Sequence, residues 1–177
     1  MSEPDLRYPI GPFRRPAKLT SEERAAAVDA IAEHPARLRE AVAGLDDQQL
    51  DTPYRPGGWT VRQLVHHVPE SHLNAYCRMK LAVTEDEPTI RPYHEERWAE
   101  LGDSKAAPVE ISLALLVALH RRWLWALRDL SPADWKRWLR HPESGRQTVE
   151  QLIALYAWHG RHHVGHVTAL RQRQGWG

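Results

Sequence analysis

The sequence predicts an all-α fold, a bundle of four long helices with short extra helical turns. Three observations carry that expectation. A Ser or Thr followed three residues later by an acid or amide, the signature of a helix start, occurs at Thr20 with Glu23, Thr60 with Gln63, Ser131 with Asp134, and Thr148 with Gln151. The segments behind these starts are rich in Ala, Leu, Glu and Arg, with apolar residues at helical spacing. No stretch alternates convincingly with a period of two, as a half-buried strand would. Helices with one apolar face each bury it by packing on one another.

Taken in order, residues 1–19 carry four prolines and little periodicity, and read as an extended arm. The long helices are expected at 20–44, 60–85, 109–130 and 148–174. Short helical turns are expected near 94–101 and 132–139. Pro53, Pro56-Gly57-Gly58, Pro88, Pro92, Pro108 and Pro142 punctuate the gaps, and Gly175 marks the final stop. Thr60-Val61-x-Gln63-Leu64 and Thr148-Val149-x-Gln151-Leu152 echo one another. A shared capping need explains this as well as a repeat does.

The 177 residues suit one domain spanning 1–177. Lys and Arg number 24 against 23 Asp and Glu, a net charge of +1, which leaves no electrostatic case for nucleic acid or an anionic membrane surface. No apolar run approaches the ~18 residues of a membrane span. The start, MSEPDLRYPIGPFRRP, lacks the basic and then apolar pattern of a signal peptide. Cys77 is the one cysteine, so an internal disulfide and a cysteine-rich zinc cage are both excluded, and a reducing cytoplasm fits best. Cys77 itself reads as a small buried hydrophobe rather than a nucleophile. The eight tryptophans are many for a small bundle to bury alone. Trp123, Trp125, Trp135 and Trp138 read as core or dimer interface, whereas Trp59 and Trp158 could wall a pocket.

The chemistry lies in the histidines. WHGRHHVGH, residues 158–166, holds four of the chain's 11. At about 100° per residue, His159 and His163 fall closest to the apolar axis of their helix, and His162 falls farthest from it, toward water. An inward i, i+4 pair is the spacing at which two imidazoles reach one metal ion. A zinc site of nitrogen and oxygen ligands needs a third. VHHVPESH, residues 65–72, offers His67 at the edge of its apolar stripe and His72 near the centre, while His66 points away. Pro69 distorts this helix, so the wheel leaves His67 and His72 open. No HExxH is present, because Gly160, Arg161 and His162 separate the pair. Arg78 and Arg161 could hold an acidic group, although exposed helix arginines are the default.

LRYPIG at 6–11, LDTPYRPGGWTVRQLVHH at 50–67, SHLNAY at 71–76, IRPYHEERWAEL at 90–101, SLALL at 112–116, LHRRW at 119–123, HP at 141–142, LYAWH at 155–159 and GW at 175–176 carry a further signal. Over nearly its whole length the chain resembles the YfiT branch of the DinB/YfiT-like family of metal-dependent hydrolases. The resemblance implies a helical bundle, a homodimer, and one zinc or nickel ion held by three histidines. One histidine comes from an HHLADSH-type segment and two from a WHxxHHxxH-type segment. Position by position these are His67, His159 and His163. The family's Leu-Ala-Asp reads Val68-Pro69-Glu70 here, which puts any role of that acid in question.

Three neutral histidines and an open position allow two chemistries on a small-molecule substrate. The ion can lower the pKa of a bound water to roughly 7 for hydrolysis of a carbonyl or phosphoryl group. Alternatively it can hold a small cofactor thiol, bacillithiol or similar, as a thiolate for S-transfer, as some family members resemble. Glu70 is the one acid nominated as base or as partner to a ligand, against its reading as a solvated helix acid. A non-catalytic metal-binding module is the third possibility, and a fourth ligand from His72, His162 or His166 would favour it. His166 could instead hydrogen-bond near the site.

Overall fold

The computed structural model describes residues 5–176. Four long helices form the bundle: α1 (Ser21–Val42), α3 (Val61–Thr84), α6 (Val109–Arg128) and α7 (Val149–Gln174). Between them lie the short helices α2 (Asp47–Leu50), α4 (Glu95–Ala99) and α5 (Gly102–Ala106), a 3-10 turn at Asp134–Lys136, and strands β1 (Trp138–His141) and β2 (Gly145–Thr148). Helix α1 packs on α7 and α6, and α3 packs on the same two, so the ring order is α1, α7, α3, α6. Among the described residues no helix is long and apolar enough to cross a membrane.

The capping residues explain where three long helices begin. The Thr20, Thr60 and Thr148 hydroxyls accept from the backbone N–H three residues on, and the side chain there accepts from the threonine N–H in return. Glu23 does this on the surface with no further partner among the described residues. Gln63 and Gln151 do more, because an amide has a donor left over. Gln63 Nε2 donates to the Ala99 carbonyl at 2.8 Å, tying the end of α4 to the start of α3. Gln151 Nε2 donates to the Pro16 carbonyl at 2.9 Å, tying the N-terminal arm to α7. The echoed Thr-Val-x-Gln-Leu segments are therefore two helix starts that each also anchor a neighbouring segment.

Of the arm expected over 1–19, residues 1–4 lie outside the described residues; residues 5–19 form no helix or strand and, after turns near Leu6 and Pro9, run along the outer face of α7. Trp158 Nε1 donates to the Gly11 carbonyl, and Phe13 and Tyr8 lie against the Trp158 and His162 rings. Arg62, buried in α3, ion-pairs with Asp47 and Asp51 and so clamps α2 onto the bundle.

Two apolar clusters divide the core along the helix axes. One contains Ile31, Met79, Trp123, Leu139, Leu152 and Ile153. The other contains Leu38, Leu64, Val65, Val68, Leu116 and Leu170. Each long helix places a histidine at the level between them: the buried His34 on α1, His72 on α3 and His120 on α6, and the half-buried His159 on α7. His34 sits close because α7 has Gly160 opposite. A Cβ there would come within 2.8 Å of the His34 ring.

Several expectations are corrected. Residues 138–148 form an antiparallel hairpin where no strand is expected, with Trp138 opposite Thr148 and His141 opposite Gly145, and the helical turn expected near 132–139 is confined to Asp134–Lys136. Its strands are four residues long and carry too little alternation to register; in β1 Leu139 alone is fully buried. Gly145 takes the positive φ that the tight connection requires. Helix α3 continues unbroken through Pro69, which is itself buried. Cys77 is exposed, because it faces away from the apolar side of α3. His66 is buried, since α6 and the end of α5 cover it: Nδ1 meets Ser112 Oγ and Nε2 meets the Ala107 carbonyl. His162 is also buried, because the arm covers that face of α7.

Candidate metal centre

His67 of α3 meets His159 and His163 of α7 at the floor of a cleft of about 720 Å³. Nε2 of His159 lies 3.4 Å from Nε2 of His67 and 3.1 Å from Nε2 of His163. One ligand-capable atom from each ring lies within 4.8 Å of the other two. The i, i+4 spacing stacks His159 and His163 on one face of α7, and the α3–α7 packing brings His67 across to them.

A chain of rings runs behind His159. Its Nδ1 lies 3.1 Å from His72 Nε2, His72 Nδ1 lies 2.9 Å from His120 Nε2, and His120 Nδ1 lies 2.6 Å from the Ile31 carbonyl. Burial pushes the His120 pKa down to about 4 and those of His72 and His159 well below 6.5, with repulsion from neighbouring imidazoles adding to it, so these rings are neutral at pH 7. A carbonyl can only accept, so His120 carries its proton on Nδ1. Its Nε2 then accepts from His72 Nδ1–H, and His72 Nε2 accepts from His159 Nδ1–H. This fixes the tautomer of His159, and its Nε2 is left as a bare lone pair aimed at the cleft.

His67 is lowered to about 4 by burial, and His163 well below its ordinary value by burial and its histidine neighbours. Nδ1 of each is buried with no partner among the described residues. Three neutral imidazole nitrogens thus converge, and among the described residues no cation or donor satisfies them all. That donor set suits a borderline-soft divalent ion.

Neither His72 nor the His162–His166 pair offers a nitrogen to this cluster. Both nitrogens of His72 are engaged in the chain above. Nε2 of His162 and His166 face each other at 3.0 Å, with His162 stacked on Trp158 and His166 against Tyr54. Glu70 stands one residue before the cleft-lining Ser71, about 100° off that stripe of α3, and does not line the cleft. Partial burial and the nearby Asp103 raise its pKa to about 6.

Of the tryptophans, Trp59 walls the cleft, its ring centroid 4.7 Å from that of His67, whereas Trp158 lies under the arm, off the cleft. Trp123 and Trp135 are core, and Trp125 is exposed. Arg161 is exposed and off the cleft, while Arg78 is buried and lines it. Ser71, Tyr93 and Tyr156 complete the inner wall. Ser71 Oγ lies 3.4 Å from the Tyr156 hydroxyl, and burial raises both tyrosine pKa values. Glu95, Glu96, Glu100 and Glu143 lie at the exposed rim.

Sequence reasoning missed His34 and His120. A signal for each was present: His34 is three residues after Ile31 and four before Leu38, and His120 is four after Leu116 and three before Trp123, so both lie on apolar faces.

Comparison with known proteins agrees with this architecture. Residues 30–167 match the model of the DinB superfamily. A Bacillus mycoides (strain KBAB4) protein named "putative metal-dependent hydrolase" is 54% identical over 172 residues, covering 97% of this chain and 99% of the relative. A Bacillus cereus (strain 03BB102) protein of the same name is 52% identical over the same shares. The structure of YfiT from Bacillus subtilis, described as "a probable metal-dependent hydrolase with an unusual four-helix bundle topology", superposes with a TM-score of 0.95 at 47% identity, covering 97% of this chain and 99% of that one. The bundle, the histidine-floored cleft and these matches together make the chain a member of the DinB superfamily, on its YfiT-like side.

Proposed function

We propose that the protein is a metal-dependent hydrolase in which His67, His159 and His163 hold one divalent ion, zinc or nickel, at the floor of the cleft. The single observation carrying this reading is the convergence of three neutral Nε2 atoms, one of them compelled by the His72–His120–Ile31 chain to present its lone pair. A divalent ion there supplies Lewis acidity for activating water and polarising a carbonyl or phosphoryl oxygen. The engagement of His72, His162 and His166 elsewhere leaves room for a substrate or water at the ion, which argues for a catalytic over a closed structural site.

The chain's own residues do the rest. Trp59 shields one side of the cleft from water. Tyr93, Tyr156 and Ser71 offer hydroxyls that can orient an oxygen of the substrate, and the raised tyrosine pKa values keep those hydroxyls protonated as donors. Glu70, nominated from sequence as a base, is assigned no step because it does not face the cleft. Among the described residues the carboxylates that line the cleft stand at its exposed rim, and the inner wall has none to serve as base. That favours a second reading, transfer by a small cofactor thiol, which needs a cation to stabilise the thiolate more than it needs a base.

We also propose a homodimer. Ile111, Leu115 and Trp125 are exposed and fall within about 80° of one another on α6, a face the rest of the described chain leaves uncovered.

The reaction class is tested by assaying zinc-loaded protein on a panel of esters, amides and phosphoesters, and in parallel on an electrophile with bacillithiol. The hydrolase reading expects turnover that is independent of thiol and lost in His163→Ala. Conjugation without hydrolysis would replace it with the transferase reading, and silence in both would replace it with a binding role.

A further inference from the structure

Two arginines of α3 are equally buried, and their surroundings differ. Arg62, 6% exposed, is matched by two carboxylates, Asp51 at 2.6 Å and Asp47 at 2.7 Å, and also donates to the Ala107 carbonyl. Arg78, 8% exposed, has no carboxylate within 4.0 Å among the described residues. Among the described residues its Nε is buried without a partner, and its one hydrogen bond to the backbone, Nη2 to the Arg91 carbonyl, is long at 3.4 Å. The guanidinium also approaches the Tyr156 hydroxyl. Tyr156 in turn packs on His159, their ring centroids 5.5 Å apart.

A buried cation without a counter-charge is costly to the fold, by several kcal/mol in the general case. A fold that needed Arg78 only for packing would be better served by an apolar residue. The side chain lines the same cleft as the three histidines, so a group entering the cleft can reach it.

We propose that Arg78 anchors a carboxylate of the molecule that binds in the cleft. The substrate class is then a small carboxylate-bearing compound, held at one end by the guanidinium and presented at the other to the histidine cluster. A planar carboxylate matches the planar guanidinium fork. The rim leans acidic: Glu95, Glu96 and Glu143 lie at the entrance beside Arg55, while Glu100 is paired with Lys105, and this balance disfavours a phosphate dianion and accommodates an ammonium group. The proposal deepens the hydrolase reading and rests on it for where the chemistry occurs.

The test separates Arg78 from the metal, since a carboxylate could also bind the ion directly. N-acetylglycine, its neutral amide N-acetylglycinamide, and inorganic phosphate are titrated into zinc-loaded and chelator-stripped protein, following the arginine Nε–H resonances by NMR. Thermal stability and metal content are measured on the same samples. N-acetylglycine is expected to shift the Arg78 Nε–H saturably in both forms, and the amide to leave it unmoved. Arg78→Met should weaken N-acetylglycine binding at least tenfold, with Arg78→Lys between the two. Arg78→Met should keep or raise the melting temperature, because it removes an unpaired buried charge.

N-acetylglycine binding that needs zinc and is equal in Arg78→Met would overturn the proposal, as would phosphate binding as tightly as the carboxylate. A large drop in melting temperature with binding unchanged in both variants would make Arg78 structural and overturn it as well. Failure of the metal centre reads out separately, as absent zinc with the Arg78 response intact.

Discussion

The carbonyl oxygen of Ile31 decides which nitrogen of His159 faces the cleft. It can only accept, and three neutral rings in series pass that constraint across the bundle to the lone pair of His159 Nε2. Partners of this kind orient ligand imidazoles, and losing one typically costs 10–100-fold in metal affinity. His72→Leu is therefore expected to keep one zinc per chain at saturation but to lose affinity by that factor, measured by competition with a chelating dye. An unchanged affinity would show that the chain of rings does not act on His159. The sequence identifies His159 and His163 by their spacing. It cannot choose between His67 and His72, because both are truly inward: His67 meets His159 at Nε2 and His72 meets it at Nδ1. A helical wheel gives the direction of a residue but not which side of a partner ring it will touch. His162 and Cys77 were misplaced for a related reason. Their burial is set by the arm over α7 and by the lack of any cover over one face of α3, and neither is written in local periodicity.

At the scale of elements, the close approach of α1 to α7 depends on Gly160. Alanine there would gain about 1 kcal/mol of helix propensity. Its Cβ would also stand 2.8 Å from the ring of His34, which is itself stacked on His72 with centroids 5.2 Å apart and has little room to move. Overpacking of this kind costs typically 1–3 kcal/mol. Gly160→Ala is expected to destabilise the protein on balance, by about 1 kcal/mol or more in urea unfolding. Equal or greater stability would mean that His34 yields without cost. The long helices are legible in sequence because their caps are local: Thr20, Thr60 and Thr148 each sit beside the residue that completes the box. The hairpin is not, since its four-residue strands draw their order from neighbours outside the segment. Ile90 N donates to the Arg140 carbonyl and Arg140 N to the Pro88 carbonyl, while Arg146 covers Trp138. Helices α2 and α5, at four and five residues, are too short for any periodicity to appear.

For the whole molecule, a layer of neutral histidines between two apolar clusters makes the fold sensitive to acid. Burial lowers His34 to about 3 and His120 to about 4, both below the 6.5 of an exposed imidazole. The unfolded chain therefore takes up protons first as pH falls, and the folded state loses stability. The contribution is fully present above about pH 6.5 and is lost toward pH 4 and then 3, at about 1.4 kcal/mol per group per pH unit within each window. Glu70, raised to about 6, acts in the opposite sense and weakly, being only half-buried. The histidines considered as ligands alone would make this acid sensitivity almost entirely a property of the metal-loaded protein. The buried His34 and His120 extend it to the metal-free protein, whose melting temperature is expected to fall steadily from pH 7 to pH 5; a flat profile would contradict their buried, neutral state. The exposed apolar face of α6 carries a separate expectation: light scattering should give a dimer at micromolar concentration, and Trp125→Glu should shift it to monomer. A native monomer would refute that association. One metal centre per chain is the common basis of the proposed chemistry. The most direct measurement is metal content by elemental analysis of protein purified with zinc, alongside His67→Ala, His159→Ala and His163→Ala checked for helical content. The account predicts one ion per chain in the native protein and none retained stoichiometrically in any of the three variants. Full retention in any one of them would contradict it.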